Sequence, residues 1–504
     1  MKKYLCDILC LLTLASLIIL FVQERWHPFP LKPLAGVQEK TEYPKLTLEN
    51  YSSGKYQSDL EQYSRENFGF REWLIRFYNQ YLWDCYHKTN VESVVIGKNN
   101  YIYSKNPVDD YLGTYRLEFA QDLPQLQQNL TQEALKIKKV QEILAEYGKS
   151  LFVVIEPSKV SVYPEYLPSS VTSPEGNVTA ADIYPRLFDS LGVNYIDFNQ
   201  YFKDIKDTVD FALYPQLGTH WSNLAALYVA DSILHYMAWL GQRNLPTLSI
   251  SETRYDTTMT PDDDLEKLLN LSRSIRSVPN QYAKFKVVSD SLSEKPTVIT
   301  IGDSYHWNIS YHVPLDSIFT RHPFWFYNST IYYDAPNKST FEVNYIEQLI
   351  NADYVMVSYS TSNLYGMSNF FSSKALVNLC HNKQEVNHAI DEIVKAIHNT
   401  PQWLESIQQK AVKQGKTLEE AIQSEAAYML YYHPEAYFPD LTAEHPTGRN
   451  DMLRMCDPND PVGITLRQMR DNPTWMESIR KKAETRNLDV ETVMVMDAEW
   501  MHAR

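Results

Sequence analysis

Cysteine is scarce in this chain: there are five in 504 residues. Cys6 and Cys10 lie inside the first apolar run, and Cys85, Cys380 and Cys456 are far apart. That excludes a disulfide framework, and no spacing suits a metal. An extracytoplasmic location would permit one disulfide among the last three, with one thiol left over. The zinc signatures H-E-x-x-H and paired C-x-x-C are missing, as is a glycine-rich phosphate loop. No metal and no cofactor are expected. Positive charge is also in deficit. Lys and Arg number 47 against 62 Asp and Glu, a net charge of −15. Nucleic acid is excluded as a partner, because it selects a basic surface. A neutral or polar substrate such as a glycan is not. Tyr (36) and Trp (10) are abundant. Such rings stack on sugars, but they fill cores more often.

The N-terminus carries the one long apolar run. Lys2 and Lys3 precede Ile8 to Val22, which is 15 residues, or 19 counted from Tyr4 with Asp7 as an interruption. This is close to a membrane-spanning length, and the lysines favour a cytoplasmic start. Gln23, Glu24, Arg25 and Trp26 follow, with no small-residue cleavage pattern. An uncleaved signal anchor is expected, with a cleaved signal peptide as the alternative. Four segments follow from the pattern: an anchor over 1–30, a linker with amphipathic helices over 31–90, an α/β domain over 91–385 and a helical region over 386–504.

Within 91–385, short apolar runs alternate with helical periodicity. Leu151 to Ile155, Val193 to Phe198, Thr297 to Ile301 and Tyr354 to Tyr359 read as strands. Gln132 to Tyr147 and Asn223 to Leu240 read as helices, each stopped by a glycine. Val94 to Tyr103 reads as a hairpin turning at Lys98-Asn99-Asn100. The alternation predicts a parallel sheet flanked by helices, with its site at the carboxyl ends of the strands. The C-terminal region contains a repeat at an offset of 72, in which the segment 399–407 matches 471–479. Each copy is expected to be a helical hairpin with a structural or docking role; two copies are too few for a solenoid.

Two segments can carry chemistry. Gly302-Asp303-Ser304 directly follows a strand. A serine in such a turn offers its hydroxyl to a cleft, beside backbone N–H groups that can face an oxyanion. Gly218-Thr219-His220-Trp221-Ser222 precedes a helix, and His220 is a base suited to activating that hydroxyl. Each segment alone is weak, since Gly-Asp-Ser is a common turn and a lone histidine or tryptophan commonly serves the core.

Together the segments resemble the alginate O-acetyltransferase family (AlgX and AlgJ type) of the SGNH hydrolase superfamily. Those proteins carry a D-x-H-W segment upstream of a G-D-S segment. The resemblance extends to Glu66–Arg71, Val94–Tyr103, Pro157-Ser158-Lys159, Tyr163–Pro168 and Asp263-Asp264-Leu265, so it spans about 34–364. It implies an SGNH-like, flavodoxin-like parallel sheet flanked by helices, with the N-terminal membrane anchor and the C-terminal helical appendage added to it. It implies Ser304 as nucleophile and His220 as general base and acid, with Trp221 and Tyr305 near substrate. It implies residence outside the inner membrane, a multi-pass membrane O-acyltransferase as acetyl donor, and a polysaccharide acceptor. One departure stands out. The position of the family's triad aspartate is Gly218. Another carboxylate is then expected to serve, with Asp303, Asp231 and the run Asp262–Asp264 as candidates, unless the site works as a Ser–His dyad. Two rivals share these residues: a carbohydrate acetylesterase, and a catalytically degenerate glycan-binding or scaffold subunit, for which Gly218 is the best support.

Overall fold

The computed structural model describes residues 2–36, 41–334, 338–367 and 369–503. The strands of the central sheet are β1 (Ser150–Glu156), β2 (Tyr195–Asp197), β3 (Val298–Gly302), β4 (Phe324–Phe326), β5 (Thr330–Tyr332), β6 (Lys338–Ser339) and β7 (Tyr354–Ser360). Their order across the sheet is β6-β5-β4-β3-β7-β1-β2. All pairs from β4 to β2 are parallel, and β5 and β6 add an antiparallel edge. The expected α/β architecture with a parallel sheet between helices is what the chain forms.

The strands are apolar on both faces because both faces are covered. Leu151, Val153, Ile155, Val355, Val357 and Ile301 point into one core. Phe152, Val154, Met356 and Val298 alternate with them into the other. Helices Leu123–Glu146 and Phe371–Cys380 cover the first face; Asn223–Gly241 and Tyr305–His312 cover the second. Asn223–Gly241 is apolar and long enough to cross a membrane by composition, but half of it is buried as a core helix.

A long hairpin, Thr247–Asp256 with Asn280–Val288, packs against helix Asn223–Gly241. The sequence pattern did not predict it. The segment between its strands carries the Asp262–Asp264 run. Leu265 and Glu266 N–H both donate to Leu217 O at 3.1 Å, pinning that segment beside the Gly218–His220 stretch.

The C-terminal repeat is larger than the expected hairpins. Each copy is three helices: Lys383–His398, Pro401–Gln414 and Leu418–Tyr432, then Pro461–Asp471, Pro473–Arg486 and Val490–His502. Equivalent positions do equivalent work. Ile407 and Ile479 are buried, as are Ala411 and Ala483. Lys410 pairs with Glu425 at 3.1 Å, and Lys482 with Asp497 at 2.6 Å. The region is continuous with the first core of the sheet rather than a detached appendage. Arg449 makes a two-pronged bond to Glu146 at 2.7 and 2.8 Å, tying it to the helix before β1.

The N-terminal run forms one 25-residue helix, Lys2–Trp26, whose apolar side chains, such as Ile8, Leu11, Leu12, Ile18 and Phe21, are exposed. Cys10, Cys85, Cys380 and Cys456 are free thiols.

Candidate active site

Gly302 ends β3, and Ser304 sits two residues on at the start of helix Tyr305–His312. The turn is tight: a Cβ at Gly302 would lie 2.4 Å from Ser358 O on neighbouring β7. Glycine is therefore required for the two strands to close beneath the serine. The Ser304 N–H has no acceptor among the described residues and lies at the head of the helix, where donors point outward.

His220 Nε2 lies 3.0 Å from Ser304 Oγ. These residues are 84 apart in sequence, and the topology brings them to hydrogen-bond distance. On the far side of the ring, Nδ1 lies 3.4 Å from Asp264 Oδ2. Asp264 Oδ1 accepts from the N–H of Thr219 at 2.7 Å and of Leu265 at 2.9 Å. Burial pushes this carboxyl up, but the His220 ring, the Thr219 N–H and the nearby Lys159 outweigh it and hold it below its usual range. Asp264 is thus poised as a carboxylate behind the base, the role of a triad aspartate.

Gly218 explains itself in the same geometry. A Cβ there would meet Asp262 O at 2.5 Å and the Pro215 ring at 2.9 Å. The segment that delivers Asp264 occupies the space where a side chain at 218 would stand. The carboxylate behind His220 comes from the 262–264 segment, and position 218 is a contact surface for that segment.

Three sequence expectations need correcting. Asp303 does not support His220. Its Oδ1 accepts from Tyr305 N–H at 3.0 Å, and its Oδ2 from Ser360 N–H at 3.0 Å, Ser360 Oγ at 2.7 Å and Asn363 Nδ2 at 2.6 Å. It clamps the nucleophile turn to the end of β7. Asp231 accepts from Leu248 N–H at 2.7 Å, fixing the hairpin to its helix. Trp221 and Tyr305 do not face substrate, being 0% and 4% exposed. Their rings meet edge to face at 4.9 Å, and Tyr305 also abuts the His220 ring at 4.8 Å. They pack against the His220 ring and hold it in place.

Two charged groups below the site escaped sequence reasoning. Lys159, 4% exposed, donates to Ile102 O at 2.7 Å and Gln216 O at 3.1 Å, bracing the loop that leads to His220. Burial lowers its pKa to about 7. Glu156 at the end of β1 is fully buried and accepts from Ser358 Oγ at 2.6 Å. Burial first and the Asp303 charge second push it well above the carboxylate range. The Pro157-Ser158-Lys159 motif was the available signal for this pair.

Comparison with known proteins adds a family. The model described as the SGNH hydrolase-like domain of the acetyltransferase AlgX matches residues 115–314, which include His220, Asp264 and Ser304. Residues 115–314 are thus similar to the SGNH hydrolase-like domain of AlgX. No curated protein matches the chain. Solved structures with similarity include the O-acetyltransferase domain of Pseudomonas putida AlgJ, at 15% identity over 54% of this chain and 92% of that one, with a TM-score of 0.37. Pseudomonas aeruginosa AlgX follows at 12% identity, over 53% of this chain and 55% of its own length, with a TM-score of 0.32. Bacillus cereus PatB1 is 13% identical over 48% of this chain and 92% of that one, with a TM-score of 0.31. The chain thus spans about half the length of AlgX.

Proposed function

We propose that the protein is an O-acetyltransferase that moves an acetyl group through Ser304 onto a hydroxyl of a polysaccharide. The observation that carries this reading is the line Ser304–His220–Asp264 inside an AlgX-type domain. His220 Nε2 takes the proton as Ser304 Oγ attacks the acetyl carbonyl of the donor. The imidazolium that forms faces the Asp264 carboxylate. The Ser304 N–H is placed to donate to the oxyanion. His220 returns its proton to the leaving group, and the serine is left as its acetyl ester. A sugar hydroxyl then gives its proton to His220 and attacks, and the tetrahedral intermediate collapses to free Ser304 and the acetylated sugar. Asp264 supplies what Gly218 lacks, which removes the ground for a degenerate site.

The N-terminal helix supports an extracytoplasmic, inner-membrane-anchored protein. Its 25 residues extend about 37 Å at 1.5 Å per residue, against a hydrocarbon core of about 30 Å. In that setting the donor is a multi-pass membrane O-acyltransferase that passes acetyl groups outward.

Incubation with an activated acetyl ester tests the chemistry. Acetyl is expected on Ser304 by mass spectrometry, none in Ser304→Ala, and breakdown of the adduct accelerated by oligosaccharide. An adduct hydrolysed at the same rate with and without oligosaccharide makes the protein an esterase. No adduct at all rejects the enzyme.

A further inference from the structure

A concave site lies on the same edge of the sheet as Ser304. It has a volume of about 210 Å³ and is lined by Asp110, Ser158, Asp182, Asn199, Lys203 and Thr361, among others. Three of these follow directly on strand ends. Ser158 is two residues past β1, Asn199 two past β2, and Thr361 one past β7. Ser304 stands two residues past β3, the neighbour of β7. Neighbouring strands are about 4.8 Å apart, so the strand ends that line the pocket lie roughly 5 to 14 Å from the end of β3. The two are joined by direct contact, because Asp303 accepts from Ser360, the residue before Thr361.

The lining carries unused polar capacity. Thr361 is 3% exposed, and its hydroxyl has no partner among the described residues. Asn199 is equally buried; its Oδ1 accepts from Ser161 Oγ at 2.8 Å, while its amide nitrogen donates to nothing among the described residues. Lys203 lies one turn further along the same helix, Phe198–Ile205. Asp110 is held from one side by Tyr365 OH at 2.5 Å. A buried, unpartnered hydroxyl is destabilising, and a ligand bringing its own hydroxyls would satisfy it. Asp182 and Asp110, whose pKa burial raises to about 7, set against the Lys203 ammonium leave no surplus of positive charge to select an acidic sugar.

We infer that this pocket is an acceptor subsite for a neutral, hydroxyl-rich sugar residue of the polysaccharide, next to the residue being acetylated. The inference rests on the acetyltransferase reading and specifies its acceptor. Threonine and asparagine donors and the Asp110 carboxyl would grip ring hydroxyls, and the chain would run from the pocket across the end of β7 to Ser304.

The test uses the full chain in detergent with p-nitrophenyl acetate as donor. The acceptors are β-1,4-linked hexamers of glucose and of mannose, and a hexamer of mannuronate. Thr361→Val and Asn199→Ala should form acetyl-Ser304 at the wild-type rate. They should need about tenfold more neutral hexamer to accelerate its breakdown, equivalent to about 1.4 kcal/mol. The mannuronate hexamer should accelerate it little. Unchanged acceptor dependence in both variants, or stronger acceleration by mannuronate than by the neutral hexamers, overturns the inference. Saturation-transfer NMR reads the pocket without chemistry: neutral hexamer signals should appear with Ser304→Ala and vanish in Ser304→Ala/Thr361→Val. Signals that persist in the double variant, or are absent from both, overturn it too, whatever the fate of the acetyl-serine.

Discussion

At the scale of single residues, the carboxylate behind His220 is Asp264, 44 residues further along the chain, while position 218 is glycine. Gly218→Asp would restore the family's motif on paper. Here it should lower acylation rather than raise it, because a Cβ at 218 would lie 2.5 Å from Asp262 O and push away the segment that carries Asp264. Steady-state turnover of the activated ester, wild type against Gly218→Asp, checks this; an active or improved variant would show that the 262–264 segment is free to yield. Ser304 and His220 were legible because strand, turn and family motif agree on them. Asp264 was legible only as one of a run. Nothing local separates it from Asp262, which is 2% exposed with one oxygen unpartnered, or from Asp263, which pairs with Lys267 at 2.8 Å. The distinction is a distance to an imidazole 44 residues away in sequence, and periodicity carries no distances of that kind. The same limit misassigned Trp221 and Tyr305, since an aromatic beside a catalytic residue reads alike whether it faces substrate or core.

At the scale of elements, apolar runs located the main strands and glycines marked helix ends. The hairpin Thr247–Asp256/Asn280–Val288 escaped because its strands are largely exposed and polar outward, with no unbroken apolar run. Helix Phe371–Cys380 buries Lys374, whose ammonium donates to Thr340 O at 2.8 Å and lies 4.0 Å from the centre of the Phe341 ring. Burial lowers its pKa from 10.5 to about 7. Between those values the unfolded chain binds the proton and the folded chain does not, so stability rises with pH through that window; below about 7 both states are charged and the slope from this group vanishes. Lys159 contributes in the same direction. Urea midpoints at the two ends of the window should therefore differ more in the wild type than in Lys374→Met. An equal difference in both would mean that Lys374 stays protonated in the fold.

At the scale of the whole molecule, the catalytic sheet and the C-terminal repeat form one body. Their side chains share one core, from Leu151 and Val355 in the sheet to Ile407 and Ile479 in the repeat. The sequence suggested a boundary near residue 386 because composition turns helical there, but composition does not reveal which apolar face packs on which. Calorimetry of the full chain should show the sheet and the repeat melting in one transition. Separate transitions would mean that the repeat is an autonomous domain.

The central claim is that Asp264 completes the site, and single-turnover acylation of Ser304 by an activated acetyl ester tests it most directly. Asp264→Asn should keep the wild-type melting behaviour and slow acylation by on the order of 10²–10⁴-fold, the range for a lost triad carboxylate. An Asp264→Asn protein that acylates at the wild-type rate would contradict the account.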